Sequence, residues 1–315
     1  MIHESDSSFI LQDIAILQQF TSLVSVLACT YRDLVKIPGA ILQSRIVIVW
    51  FASGRAASLS LLIAKILRKK ILVIAGGTEV SVQSSLRGGG IARLLSTKLI
   101  ISLADHILCV SHFTSKEMLC LAIPRRYSIA YNGIDTQQFR LGNLERNVIL
   151  TVAFGEPGRK GIDRYFEVAR ILSHRKFVLV GYVANFTAVK NSCPTNVLMT
   201  GQVSLEKLSE FYQSAKFYLQ LSRHESFGVA LAEAMASGCI PIVSDAGALP
   251  EVVGECGFVV REGDPKKVAK LIEKYWNGSD GMSRLSRARI ISHFSLAKRA
   301  KILERVVVRL QEENS

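Results

Sequence analysis

The chain has 315 residues, 49% of them hydrophobic, with 39 Lys/Arg against 26 Asp/Glu and a net charge of +13. That is enough apolar material for two ordinary domains, each with its own core. Six cysteines without CxxC spacing argue against a disulfide framework or a zinc site and for thiols in a reducing cytoplasm, no apolar run reaches about 18 residues without a charge, and the acidic start at residues 1–6 is not a signal peptide.

Through the first half, short apolar runs alternate with helical patterns, which predicts a parallel sheet covered on both faces. Residues 23–28 and 45–51 read as strands. Residues 58–67 read as a helix with Leu59, Leu62, Ile63 and Ile66 on one face, closed by Arg68, Lys69 and Lys70 at its negative dipole end. A strand at 71–75 runs into Gly76-Gly77-Thr78-Glu79, a candidate site because ligands bind beyond the carboxyl ends of such strands. Arg87-Gly88-Gly89-Gly90 has the wrong spacing for a dinucleotide fingerprint and reads as a turn before a helix. Strands follow at 106–110, with Ser111 as a helix cap, and at 128–131, and a linker is expected at 139–146.

The second half opens with a strand at 148–153 and the loop Phe154-Gly155-Glu156-Pro157-Gly158-Arg159-Lys160-Gly161. Two adjacent cations on a Gly/Pro loop after a strand suit a diphosphate, Lys160 as a point charge and Arg159 as a fork. Strands at 176–181, 197–201 and 217–221 lead to the stretch around which the chain is organised. Here Arg223-His224-Glu225-Ser226 precedes a helix expected over 227–237, ended by Gly238. The first amides of a helix have no internal partner and sit at the positive end of its dipole, so Phe227, Gly228 and Val229 offer N–H groups to a phosphate. Glu233 lies about two turns into the helix and leans back toward its start. Carboxylates repel phosphate, so Glu225 and Glu233 would serve as acceptors for hydroxyls of a sugar or a ribose.

Glu225-Ser-Phe-Gly-Val-Ala-Leu-Ala-Glu233, continued by Ala-Met-Ala-Ser-Gly-Cys-Ile-Pro-Ile-Val, by Ser244-Asp245-Ala246-Gly247-Ala248-Leu249-Pro250-Glu251 and by Gly257-Phe258-Val259-Val260, resembles the retaining glycosyltransferases of family 4, whose signature is Glu-x7-Glu. The segments 105–111 and Asn132-Gly133-Ile134-Asp135 also resemble that family. The resemblance implies a GT-B fold of two doubly wound, Rossmann-like α/β domains facing across a cleft. They would comprise an acceptor-side domain at 1–143, with the terminal helix 295–315 returning to it, and a donor domain at 144–294. It implies that Lys160 and Glu225 are catalytic. Arg159, Lys160, Glu225, Ser226, Phe227, Gly228, Val229 and Glu233 would hold a nucleoside-diphosphate sugar, with Glu233 on the ribose, and Gly77, Thr78 and Glu79 would lie on the acceptor side. It implies front-face attack, with a donor phosphate oxygen taking the acceptor proton. The chain departs from the family in having Gly155 and Glu156 where an arginine is common, which leaves Arg159 to replace it, and in lacking a histidine after residue 75.

No Asp-x-Asp occurs, so no metal and no cofactor is expected, and the leaving diphosphate would depend on Lys160, Arg159 and helix amides. Residues 1–143 carry 15 Lys/Arg against 8 Asp/Glu, and residues 284–309 carry 8 against one. This asymmetry suggests an anionic partner: a lipid-linked acceptor or the inner face of a membrane, touched peripherally by a cytoplasmic protein. The competing readings are a sugar-nucleotide epimerase or phosphorylase on the same fold, and a non-catalytic nucleotide or nucleic-acid binder. The basic segments lack the interleaved aromatics of a single-strand groove, which disfavours nucleic acid.

Overall fold

The computed structural model describes residues 1–3, 7–23, 26–27, 30, 32–142, 145–277 and 280–313. The chain divides into one unit of Met1–Gly133 with Leu296–Ser315 and a second of Ile134–Ser295.

In the first unit the elements are β1 (Ile2–His3), α1 (Ser8–Gln18), β2 (Val26–Leu27), α2 (Lys36–Leu42), β3 (Ile46–Trp50), α3 (Arg55–Ile66), β4 (Lys70–Ala75), α4 (Val82–Leu103), β5 (His106–Cys109), α5 (His112–Leu121) and β6 (Tyr127–Ile129). The strands pair in parallel in the order β2-β1-β3-β4-β5-β6. Strands buried on both faces need near-continuous apolar runs, and Ile46–Trp50 and Ile71, Leu72, Val73 and Ile74 supply them. Side chains alternate across the sheet. Val47, Val49, Ile71, Val73, Ile107 and Cys109 pack with residues of α2, α3, α4 and α5. Trp50, of opposite parity, meets α1, where its Nε1 donates to Asp13 at 3.0 Å.

The expected strand at 23–28 is described only at Leu23 and at Val26–Leu27, and the N-terminal segment forms an interior strand that the sequence pattern does not announce. The glycine run 87–90 is no open turn: it falls within α4, which kinks at Gly90 (φ 64°, ψ −161°).

The second unit contains β7 (Val148–Val152), α6 (Pro157–Lys160), α7 (Ile162–Ile171), β8 (Lys176–Val180), α8 (Phe186–Asn191), β9 (Val197–Gly201), α9 (Leu205–Ser214), β10 (Ala215–Gln220), α10 (Val229–Ala236), β11 (Ile240–Ser244), α11 (Leu249–Val253), β12 (Phe258–Val260), α12 (Pro265–Lys274) and α13 (Asp280–His293). Its strands pair in parallel in the order β12-β11-β10-β7-β8-β9. The order reverses between β7 and β10, which makes the carboxyl ends of those two strands the switch point where doubly wound sheets bind ligands. In the first unit the reversal falls between β1 and β3, away from the loop after β4.

The last helix, α14 (Leu296–Glu312), belongs to the first unit. Arg299 fastens it there from a fully buried position: Nε and Nη2 donate to the two oxygens of Asp13, each at 2.6 Å, and Nη1 donates to the carbonyls of Ala130 and Tyr131. The side chains of Asp13 and Trp50 therefore place α1 and α14 on the opposite face of the sheet from α3 and α4. Cations of the first half and of the tail meet at Glu313, which pairs with Lys70, Arg126 and Arg309.

The described residues of 139–146, expected as a linker, are bound into the second unit. Phe139 is buried with its ring 5.6 Å from Tyr212, and Arg287 of α13 donates to the carbonyls of Thr136 at 3.0 Å and Phe139 at 2.8 Å. The units accordingly divide at 133–134 rather than at 143–144. Of the cysteines, Cys109 and Cys239 are buried, Cys193 and Cys256 half-buried and Cys120 exposed, while Cys29 lies outside the described residues.

Candidate functional site

The switch point of the second unit is built from two loops, one after β7 and one after β10. After β7 the chain forms the short helix α6 instead of the open loop expected, because Pro157 at its first position is pre-set for helical φ. α6 ends at Gly161 (φ 69°), where a Cβ would stand 2.0 Å from the carbonyl oxygen of Leu221. Only glycine lets this turn press against the end of β10. Arg223 fastens the contact. Its N–H donates to Arg159 O at 2.8 Å, its Nη1 to Gly158 O at 2.6 Å, and its guanidinium forms a fork with Asp163 at 2.8 and 2.6 Å that holds the Asp163 carboxyl below its usual range.

This brings Lys160 onto Glu225. Lys160 Nζ donates to Glu225 Oε2 at 2.8 Å, and Gln220 Nε2, from the last residue of β10, donates to the same oxygen at 2.7 Å. Both charged side chains are largely buried, so their attraction is screened less than on an open surface. A second loop supports Glu225 from below: Ala248 N–H donates to its carbonyl at 2.9 Å, and Gly247 (φ 61°) passes so close that a Cβ would lie 2.0 Å from that oxygen.

Beyond Glu225 the chain enters α10. The helix spans Val229–Ala236, shorter at both ends than the expected 227–237. Its cap residue is Gly228, which brings no capping side chain of its own. Ser226 is half-buried, and Phe227 is buried with its ring 5.6 Å from Phe294, so Phe227 can face a ligand only through its backbone.

Glu233 lies on the inner face of α10 and is buried. Tyr212 Oη donates to its Oε2 at 2.9 Å, yet burial outweighs that bond and raises the Glu233 carboxyl to about 7. Arg159 is half-exposed, and its guanidinium reaches back toward Gly155, where a Cβ would stand 3.9 Å from Nη2. Chemically, this corner combines a cation and a helix N-terminus, both suited to phosphate, with two carboxylates suited to hydroxyls.

Three residues of this corner are not singled out by the sequence. Gln220 carries a visible signal, as a polar side chain at the end of an otherwise apolar buried strand. Asp163 ends the Lys-Gly-Ile-Asp run that begins at Lys160, but its fork with Arg223 is not legible there, and Tyr212 carries no signal, since its importance lies in contacts between elements.

In the first unit, Gly77, Thr78 and Glu79 follow β4. The Glu79 side chain turns inward: it is buried, its Oε1 accepts from Gly76 N–H at 2.6 Å, and burial pushes its carboxyl up against the opposing pull of backbone amides at Gly76, Gly77, Ala52 and its own. It organises its own loop and does not present a carboxylate outward. The side chain of Thr78 lies outside the described residues.

Residues 134–290 match the family model of glycosyl transferases group 1. Among curated proteins, the chain is 28% identical over 185 residues to a subunit of phosphatidylinositol N-acetylglucosaminyltransferase from Arabidopsis thaliana, covering 54% of this chain and 41% of that protein. It is 27% identical over 229 residues to MMP alpha-(1->4)-mannosyltransferase of Mycolicibacterium hassiacum, covering 65% and 55%. The chain thus spans about half the length of the curated relatives it matches. Among solved structures, HepE of Anabaena in complex with UDP and glucose superposes with a TM-score of 0.83 at 11% identity, covering 98% of this chain and 99% of that one, a likeness of fold. The architecture is GT-B, two parallel-sheet α/β domains, and the match to glycosyl transferases group 1 falls within the second unit.

Proposed function

We propose that the chain is a retaining glycosyltransferase of family 4 that moves a sugar from a nucleoside-diphosphate sugar to an acceptor. The observation that carries this is the convergence of Lys160 and Glu225, 2.8 Å apart at the switch point, at the approach to the N-terminus of α10, whose cap residue is Gly228. In this reading Lys160, Arg159 and the amides of Ser226, Phe227, Gly228 and Val229 take the diphosphate, Glu233 accepts from the ribose hydroxyls, and Glu225 faces the transferred sugar. The acceptor hydroxyl attacks the anomeric carbon on the face from which the diphosphate departs. The carbon–oxygen bond to phosphate breaks as the new glycosidic bond forms, and the hydroxyl proton passes to the departing phosphate oxygen. Lys160 and the helix N-terminus stabilise the charge that develops there, so the step needs no metal ion. The acceptor is a glycan or a lipid-linked group; the Arabidopsis relative, whose name specifies phosphatidylinositol, supports the second kind.

A thermal-shift panel of UDP, GDP and ADP, their sugars and the bare nucleosides tests this, because a ligand bound to the folded state raises the melting temperature by mass action. One nucleoside diphosphate and its sugar should stabilise the protein while the nucleoside does so weakly. No response to any diphosphate would overturn the proposal. Nuclear magnetic resonance of the product formed with that donor then reads the anomeric configuration, and an inverted product would refute retention.

A further inference from the structure

The apolar stripe of α3 is only half covered, with Leu59 and Ile63 packed against the core and Leu62 and Ile66 left outside. The side toward the sheet is made of Ala56, Ala57, Ser60, Leu61 and Ala64, whereas Leu62 and Ile66 are 58% and 70% exposed. On α4, which packs beside α3, Ile91, Leu95 and Leu99 recur every four residues and are 70%, 60% and 55% exposed. Single exposed aliphatics are ordinary, but five on the outward faces of two neighbouring helices form a patch. The kink at Gly90 begins the straight segment that carries three of them.

The charge along these two helices is mainly cationic, although Lys65 of α3 is paired with Asp105, just after α4, at 2.9 Å. Between Arg55 and Leu103 the sequence holds eight Lys/Arg and a single acid, Glu79, which is buried. Arg68 and Lys98 are exposed and Lys69 is half-exposed, at the ends and flanks of the aliphatic rows. A helix face of this composition, aliphatic in the middle and cationic at its border, suits the headgroup boundary of a bilayer. A second copy suits it poorly, because a two-fold contact would set these cations against their equivalents. The stretch also lacks the aromatic anchors that mark protein interfaces.

We propose that the outward face of α3 and α4 docks the first unit on an anionic lipid surface. Leu62, Ile66, Ile91, Leu95 and Leu99 enter the headgroup boundary, and Arg68, Lys69 and Lys98 pair with lipid phosphates. Among the described residues no helix is long and apolar enough to cross a membrane, so this contact is peripheral. It does not rest on the transfer reaction proposed above.

Co-sedimentation of the full chain with vesicles of phosphatidylcholine, with and without phosphatidylglycerol, tests the assignment. The protein should partition onto the phosphatidylglycerol vesicles and leave them as salt is raised. Ile91→Ser/Leu95→Ser/Leu99→Ser should lower the partition at least about tenfold, and Arg68→Glu/Lys98→Glu about as much. Lys298→Glu/Lys301→Glu, on α14 across the sheet, should leave it unchanged. All these positions are exposed, so the variants fold, and nucleoside-diphosphate thermal shifts measured in parallel should match the unsubstituted protein. Equal recovery on both vesicle types, wild-type partition by the serine variant, or loss of partition on substituting α14 would overturn the proposal. So would a lipid-independent dimer that the serine variant makes monomeric, which would give the face to a second copy.

Discussion

Glu233→Gln isolates the most perturbed carboxyl of the candidate site. Burial raises Glu233 from 4.5 to about 7. At about 1.4 kcal/mol per unit, the ionised side chain destabilises the folded state by about 3 kcal/mol relative to the protonated one. The sign follows from proton linkage. Below pH 4.5 the carboxyl is protonated in both states and there is no penalty. Between 4.5 and 7 the unfolded chain releases the proton while the folded chain keeps it, so stability falls as pH rises. Above 7 both states are ionised and the full penalty applies. Glutamine preserves the shape and can still accept from Tyr212 but does not titrate. The stability difference between the Glu233→Gln variant and the unsubstituted chain should therefore grow by about 2.5 kcal/mol in favour of glutamine from pH 5 to pH 8. Urea unfolding at both pH values measures it. With Trp50→Phe in both proteins, Trp276 reports the second unit, since the chain has only these two tryptophans. A constant difference across that range would refute the argument. The same titration should appear in binding. If ribose hydroxyls donate to the ionised carboxylate, only that fraction of the protein is competent, and nucleoside-diphosphate affinity should rise about tenfold from pH 6 to pH 8, and not in the glutamine variant.

Lys160→Ala should weaken nucleoside-diphosphate binding by about 1.5–3 kcal/mol while sparing the bare nucleoside, as measured by calorimetry; equal losses would move Lys160 away from the phosphates. Glu225→Gln should leave diphosphate affinity nearly unchanged and lower kcat and kcat/KM together by about a hundredfold to a thousandfold, measured by product release, because in the proposed reaction its contact strengthens in the transition state. Arg299→Met should cost about 3–5 kcal/mol in thermal unfolding by stranding Asp13, and Asp13→Asn in the same chain should recover part of that.

The central strands and the site loops are legible in the sequence because their signals are local. An apolar run bounded by glycine or proline declares a buried strand, and Lys160 and Glu225 stand just beyond two of them. What escapes depends on comparisons a sequence cannot make. Leu59, Leu62, Ile63 and Ile66 define a face of α3, but periodicity does not say which face meets the sheet. The buried face is Ala56, Ala57, Ser60, Leu61 and Ala64, with Leu59 and Ile63 packed at its edge and Leu62 and Ile66 exposed. The domain boundary escapes for a similar reason. Residues 139–146 look like a linker, yet Arg287, distant in sequence, ties 136 and 139 into the second unit. At the site, the partners Gln220, Tyr212 and Asp163 come from separate strands and helices, so no spacing rule reports them.

The contacts of Glu225 also bear on how its two oxygens divide their work. Lys160 and Gln220 both donate to Oε2, and neither contact uses Oε1. Two donors on one oxygen fix the plane of the carboxylate, and they do so from opposite sources: Gln220 from the rigid end of β10, Lys160 from the turn that Gly161 presses against it. A diphosphate drawn to Lys160 would compete for its three N–H groups without breaking the Gln220 bond. Glu225 would then keep its orientation while losing part of its neutralising partner, so its negative charge would be felt most strongly when the donor's phosphates are in place. That coupling gives a physical reason for Lys160 and Glu225 to be held in contact instead of apart. In the proposed reaction, the cation that receives the leaving group would then also be the switch for the carboxylate that faces the sugar.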